Sequence, residues 1–486
     1  MSRLNITRLL LSLVITLLIG CSTITELRQD FADKVFGREP PNPPADLEDI
    51  QPSYTAKIEW SSNAGKTDKY DYTPALDASA IYAANIEGEL AKFDSANGRQ
   101  LWQINVGEPI SGGVGIGAGI VLVGSSKGNV FAYDVTGKLL WKAKVSSEVL
   151  SVPRYFDGMV IARTGDNHIF GLDATDGSRK WVYERINPAL TLRSSVGVTV
   201  DSGAVYAGFA GGKMVAIRAD NGKLIWEATV AQPKGVTEIE RITDITSLPV
   251  VDGPLIYAVA YQGKIAAVDR ASGRLVWNRD ISSYSGLSAE DAKIFVSHTL
   301  GAVYSLDYTS GKTFWRQGAL ANRRLTAPLP MGNVIAVGDL EGYLHFLTRE
   351  EGKFAARIKL DSNPVMSLIA GTKPNQIIAE TRDGGLYAIS VTENDIKSTS
   401  APESNSKTEP DSKTEPKSTT DILLPAETQP VMQQPAVPDE PSLQPNTEPN
   451  AERSILFQNN DSILLPDAGN SDNSAPGIRL PSSEPQ

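Results

Sequence analysis

Short apolar stretches separated by polar, glycine-marked turns run through the middle of the chain, too brief for helices and repeated at a near-constant interval. One unit reads Gly88-Glu-Leu-Ala-Lys-Phe-Asp94 and then Gly98-Arg-Gln-Leu-Trp102. The next reads Gly128-Asn-Val-Phe-Ala-Tyr-Asp134 and then Gly137-Lys-Leu-Leu-Trp141. Four more follow: Asn167 to Asp173 with Gly177 and Trp181, Gly212 with Gly222 and Trp226, Gly263 to Asp269 with Gly273 and Trp277, and Gly301 to Asp307 with Gly311 and Trp315. A seventh runs from Gly342 to Gly352 but has Ala356 where the others have Trp, and an eighth begins at Asp383-Gly384-Gly385-Leu386 and stops at Ile389.

From Trp102 to Trp315 the tryptophans recur every 38 to 51 residues, the period of four-stranded propeller blades. The Asp-to-Gly link reads as a hairpin turn, with Gly supplying positive φ and Asp bonding nearby backbone N–H groups. The Trp reads as the opening of the last strand, its indole filling the gap between blades. Six of the seven tryptophans close units one to six, and the seventh, Trp60 in Ala56-Lys-Ile-Glu-Trp60, precedes the first unit. The economical solution is that the Trp60 strand completes the eighth blade, removing both open sheet edges. The predicted fold is all-β: an eight-bladed propeller of four-stranded antiparallel blades over residues 54–391, its last blade closed by the N-terminal strand.

The chain ends differ from this core. Arg3 and Arg8 precede an apolar run from Leu9 to Ile19, then Gly20 and Cys21, the only cysteine in 486 residues. The run is as long as a signal-peptide core and short for a membrane span. Leu18-Ile19-Gly20-Cys21 resembles the lipobox of bacterial lipoproteins, which implies cleavage before Cys21 and acylation of its thiol and amine. With Ser22 after the cysteine, the same resemblance implies outer-membrane sorting, on the periplasmic face. Residues 1–20 are thus the expected signal peptide and 21–53, with Pro40-Pro41-Asn42-Pro43-Pro44, a lipidated tether. From Thr392 onward 6 Lys/Arg stand against 16 Asp/Glu, and the last 96 residues hold 14 of the 30 prolines. This tail, 392–486, is expected to be disordered. It carries Asp421-Ile-Leu-Leu-Pro425 and Asp461-Ser-Ile-Leu-Leu-Pro466, either a pair of docking peptides or leftover repeat expansion. The net charge of −11 argues against nucleic acid as a partner. One cysteine and three scattered histidines (His168, His298, His345) give no support for a metal site.

The Asp-Gly-Trp unit is similar to the pyrroloquinoline-quinone-type repeat, used by the quinoprotein dehydrogenases and by the BamB lipoproteins of the outer-membrane β-barrel assembly machinery. Lipobox, length and unit count resemble BamB over residues 1–391. The dehydrogenase alternative lacks its parts: no vicinal cysteine pair, no acidic metal cluster, no nucleophile–base spacing. No catalytic, cofactor or metal residue is therefore expected. The alternative within binding proteins is a periplasmic propeller lipoprotein scaffolding another envelope complex.

The repeat also points to a binding surface. The distances from Trp181 to Gly212 and Trp226 to Gly263, 31 and 37 residues, exceed the 24 to 27 of the other units. These insertions fall in adjacent blades and are expected on one rim. The first contains Asn187-Pro-Ala-Leu190-Thr-Leu192-Arg193, apolar anchors beside a multivalent donor; the second contains Asp244-Ile-Thr246. The resemblance implies that a Leu-x-Leu-Arg loop and an Asp-x-Asp segment bind the periplasmic POTRA domains of BamA. Leu190, Leu192 and Arg193 match the first; Asp244 matches the first acid of the second, and Thr246 departs from it. The plainer alternative is a capped loop, leucines tucked onto the blade and Arg193 paired with Asp244. Loop edges that pair with unfolded outer-membrane barrel strands are a further expected contact.

Overall fold

A computed structural model describes residues 42–394, apart from 68, 69, 71, 187 and 189. Cys21, the signal segment, the tail from residue 395 and its two Ile-Leu-Leu-Pro motifs lie outside the described residues.

The chain forms eight four-stranded antiparallel sheets arranged as the blades of a propeller. Blade one runs through Ala75–Asp77, Ala80–Ala84, Glu89–Asp94 and Gln100–Asn105, and six further blades repeat this up-and-down order. First strands of neighbouring blades touch one another around the axis, so they form the inner ring and the fourth strands the outer wall. Burial follows from that position. Second strands such as Ala80–Ala84 and Leu255–Val259 are buried at every residue, because blades cover both of their faces. Fourth strands such as Leu139–Lys144 alternate exposed and buried residues beyond their first turn.

The eighth blade combines Val365–Ala370, Gln376–Thr381 and Gly385–Glu393 with the N-terminal strand Tyr54–Asn63. Tyr54 pairs with Glu393 and Asn63 with Gly385, so the two chain ends meet in one antiparallel ladder. The third strand extends to Glu393, slightly past the sequence-based limit, and Thr55 bonds Asn394 just beyond it.

Tryptophan locks each blade to the next. It stands inside the fourth strand rather than at its start, beside a bulge in the ladder, as with Trp226 in Leu224–Thr229. All seven indole N–H groups donate to a carbonyl in the third-to-fourth turn of the following blade, from Trp60 to Ser95 at 3.0 Å through Trp315 to Arg349 at 2.9 Å. The ring lies on the turn glycine: a Cβ at Gly222, whose φ is +70°, would stand 2.6 Å from Trp181. Blade eight has no third-to-fourth turn, since its fourth strand comes from the other chain end. Blade seven thus has nothing for a Trp to dock on, which explains Ala356. The residue paired with Ala356 is Phe346, where the other blades pair Trp mostly with Ala, Gly or Ser, so the volume is exchanged between strands.

Residues 42–53, read from sequence as part of a loose tether, run as a docked strap. Ala45 N–H donates to the Ala321 carbonyl, and Asn322 donates to that of Pro43. Arg323, 2% exposed, donates to the Ala45 carbonyl at 2.7 Å and to Asp339 at 2.7 Å, and also pairs with Glu341. Arg357 reaches the Glu48 carbonyl at 2.8 Å and gives its Nε–H to His345 Nδ1. Burial pushes the His345 imidazole below its usual range, and with Nδ1 accepting, Nε2–H is the donor to Asp339 at 2.9 Å.

Candidate partner-binding loops

Antiparallel alternation puts every fourth-to-first connector, together with the second-to-third turns, at one end of the blades. Both long insertions are such connectors: 184–198 joins blade three to blade four, and 230–249 joins blade four to blade five. Their shared rim, expected from the spacing, follows from this topology.

The loops are braced against each other from below. Asp244, buried, crosses from the second loop to the first: one carboxylate oxygen accepts the Leu192 N–H at 2.7 Å and the other the Gly211 N–H at 3.1 Å. Tyr261 N–H bonds the Asp244 carbonyl, and Ile245 N–H the Phe209 carbonyl, which seat the second loop on blades four and five. Arg193 does not pair with Asp244. It forms a bidentate pair with Glu148, at 3.1 and 2.6 Å, from the connector between blades two and three, and its guanidinium lies 5.9 Å from the Tyr70 ring. Three successive connectors are thereby tied, with Arg193 exposed at the surface. Leu190 is 44% exposed and Leu192 half-buried.

Thr246 sits apart. It faces the central cavity rather than the rim, and its hydroxyl is buried without a hydrogen-bond partner. Asp244 and Thr246 are thus neighbours in sequence but occupy different places.

The sequence reading missed the most exposed apolar groups on these loops: Ile186 at 96%, Val236 at 95% and Ile239 at 68%. Val236 and Ile239 crown a built turn. Glu240 accepts the Val236 and Thr237 N–H groups at 2.8 and 3.1 Å and returns its own N–H to Thr237 Oγ1, a reciprocal cap without a helix. The N–H groups of Thr237 and Val236 hold the Glu240 carboxyl below its usual range. Beneath the first loop, Arg163 is buried over the Phe209 ring at 4.7 Å and donates to Asn167 at 2.6 Å. Burial alone pushes its guanidinium down to about 10. Arg185 covers the same ring at 5.6 Å and pairs with Glu227. Among the described residues no cluster of three or more His, Cys, Asp or Glu side chains is placed to hold a metal.

A family model described as outer membrane protein assembly factor BamB matches residues 86–317. The outer membrane protein assembly factor BamB of Nitrosomonas eutropha is 39% identical over 386 residues, covering 79% of this chain and 94% of that protein. The chain belongs to the BamB family. The crystal structure of BamB from Moraxella catarrhalis superposes with a TM-score of 0.64 at 27% identity, covering 69% of this chain and all of the other. Quinohemoprotein alcohol dehydrogenase from Comamonas testosteroni gives a TM-score of 0.57 at 14% identity, a likeness of fold alone. The match covers 69% of this chain and 76% of the dehydrogenase.

Proposed function

We propose that the chain is a non-catalytic scaffold, held by lipid on Cys21 at the periplasmic face of the outer membrane. In this reading the loops 184–198 and 230–249 dock the POTRA domains of BamA and so support the assembly of outer-membrane β-barrel proteins. The relatives, named as assembly factors, support the role. The observation that carries the docking surface is a pre-organised loop pair: Leu190 and Arg193 exposed, with the Leu192 N–H held by Asp244 and the Arg193 guanidinium held by Glu148. Fixing the backbone beforehand removes ordering cost from binding. Exposed Ile186, Val236 and Ile239 extend the apolar area, and Arg193 offers the charged contact at its edge. Asp244 acts as the brace, and Thr246 lies off this surface. Pro43 and Ala45 of the strap meet the fold on the same face, since Asn322 and Arg323 belong to a fourth-to-first connector.

The test is co-purification with BamA from detergent-solubilised membranes. Leu190→Glu and Arg193→Glu should each lower recovery about tenfold or more while the melting transition stays within a degree or two. Undiminished recovery from both variants would remove the proposal.

A further inference from the structure

The axis of the propeller opens on the loop face into a cavity of about 820 Å³. Its wall carries three charged side chains among the described residues, and all are arginines: Arg154, Arg324 and Arg382. They come from the first strand of blade three, the connector between blades six and seven, and the second-to-third turn of blade eight. No Asp or Glu lines the cavity, and none of the three arginines forms an ion pair with a carboxylate of the described residues. The folded core is close to neutral, so this one-signed wall is a local arrangement and not the protein's average. Arg154 is the most costly of the three. It is half-buried on the inner ring, where burial pushes its guanidinium below its usual range and no carboxylate of the described residues pairs with it. A guanidinium so placed is satisfied by an incoming anion.

Two further features define the shape of that anion. The wall between the arginines mixes apolar side chains, Val152, Leu248, Leu287, Leu325 and Met366, with uncharged hydroxyls such as those of Thr246, Ser247 and Thr326. The inner ring is made of short first strands, such as Arg154–Phe156 and Val250–Asp252, that pair on one side only. Their inner edges leave backbone donors and acceptors facing the axis. A compact inorganic anion would use neither the apolar side chains nor these edges, and it could not span arginines set on opposite sides of the ring. An extended chain uses all three.

We propose that the central cavity binds an extended, acidic peptide segment of a partner protein, its carboxylates on Arg154, Arg324 and Arg382 and its apolar side chains against the wall between them. Fork-shaped guanidinium groups suit bidentate carboxylate contact, and the open strand edges suit backbone pairing. The site takes in the inner ends of both long connectors, at Ser195 to Gly197 and Thr246 to Leu248, but neither Leu190 nor Arg193 lines it.

The test uses the purified full chain in detergent and a dye-labelled octapeptide of alternating Leu and Glu, followed by fluorescence anisotropy. The peptide should bind saturably, and its counterpart with Lys for Glu should not. The double variant Arg154→Gln, Arg382→Gln should weaken binding about tenfold or more, and Arg382→Gln alone, at an exposed position, should weaken it less. Arg193→Glu should leave it unchanged, which separates this site from the Leu190 and Arg193 surface. Citrate at equal charge should compete poorly. Absence of saturable binding, equal binding of the Lys peptide, an unaffected and folded double variant, or full competition by citrate at micromolar concentration would each overturn the proposal.

Discussion

Two buried carboxyl groups show how differently single residues act in this ring. Asp244 is satisfied: its two oxygens take the Leu192 and Gly211 N–H groups. Asp244→Ala strands both donors at a cost of about 2–4 kcal/mol. Amide exchange at Leu192 and Gly211 should accelerate by two orders of magnitude or more, and BamA recovery should fall although Asp244 is not at the surface. Unchanged exchange at both amides would contradict the bracing role. Glu380, in the second strand of blade eight, is fully buried, and burial pushes its carboxyl up to about 8, opposed only in part by the Ser367 hydroxyl. Its ordinary value is 4.5. Between those pH values the unfolded chain has lost this proton and the folded chain keeps it, so rising pH favours unfolding. The loss is about 1.4 kcal/mol per pH unit, on the order of 4 kcal/mol by pH 8, and it levels off above that. Glu380→Gln removes the ionisable group at constant shape. In urea titrations the variant should match the parent near pH 4.5 and be several kcal/mol more stable by pH 8. A gap that does not widen with pH would rule out the buried acid as its source.

At the scale of elements, what could be read in the sequence was whatever the fold demands repeatedly. A turn glycine under an indole must be glycine, and an indole filling a gap between blades must be large, so Gly98, Gly137 and their successors announce each blade. Trp60, a tryptophan without a unit, disclosed the closing strand. The two long connectors were legible through spacing. Their bracing was not, because Glu148 and Asp244 lie 45 and 52 residues from the groups they hold, and pairing across blades leaves no local pattern. Ala356 read as an exception until the missing turn of blade eight gave it a reason. The strap was illegible for another cause: Arg323 and Arg357 grip the carbonyls of Ala45 and Glu48, which any residue would provide. Arg323 is nevertheless the residue on which the strap depends. Arg323→Ala leaves Asp339 buried without its cation, a loss of about 3–5 kcal/mol, and frees the strap. Limited proteolysis should then cut first within residues 43–48, a region resistant in the parent. Persistent resistance there would mean that the Ala321, Asn322 and Arg357 contacts hold the strap without Arg323.

At the largest scale the described residues form a ring sealed by one non-covalent seam, and that seam concentrates the ring's stability. Nine register pairs join Tyr54–Asn63 to Gly385–Glu393, and on this strand alone Trp60 reaches forward to the Gly98 turn of blade one. Removing the strand uncovers the edge of Gly385–Glu393 and apolar faces of blades seven, eight and one, including Phe346, Ile378, Ala91 and Phe93. An open, apolar edge of this kind pairs with other chains. A chain beginning at residue 64 should therefore lose its sharp unfolding transition and associate in size-exclusion chromatography. If the seam is only strand pairing and indole docking, the missing piece need not be covalently attached. A synthetic peptide of residues 54–63, added in excess, should restore the monomer and the cooperative transition. The same peptide with Trp60→Ala should do so more weakly by about 3–5 kcal/mol, the cost of emptying the indole site. Each closed blade is held by neighbours on both sides, so the ring either closes as a unit or leaves these blade faces exposed. Restoration by the Trp60→Ala peptide as strong as by the native one would show that the ladder alone seals the ring, with the Gly98 dock adding nothing.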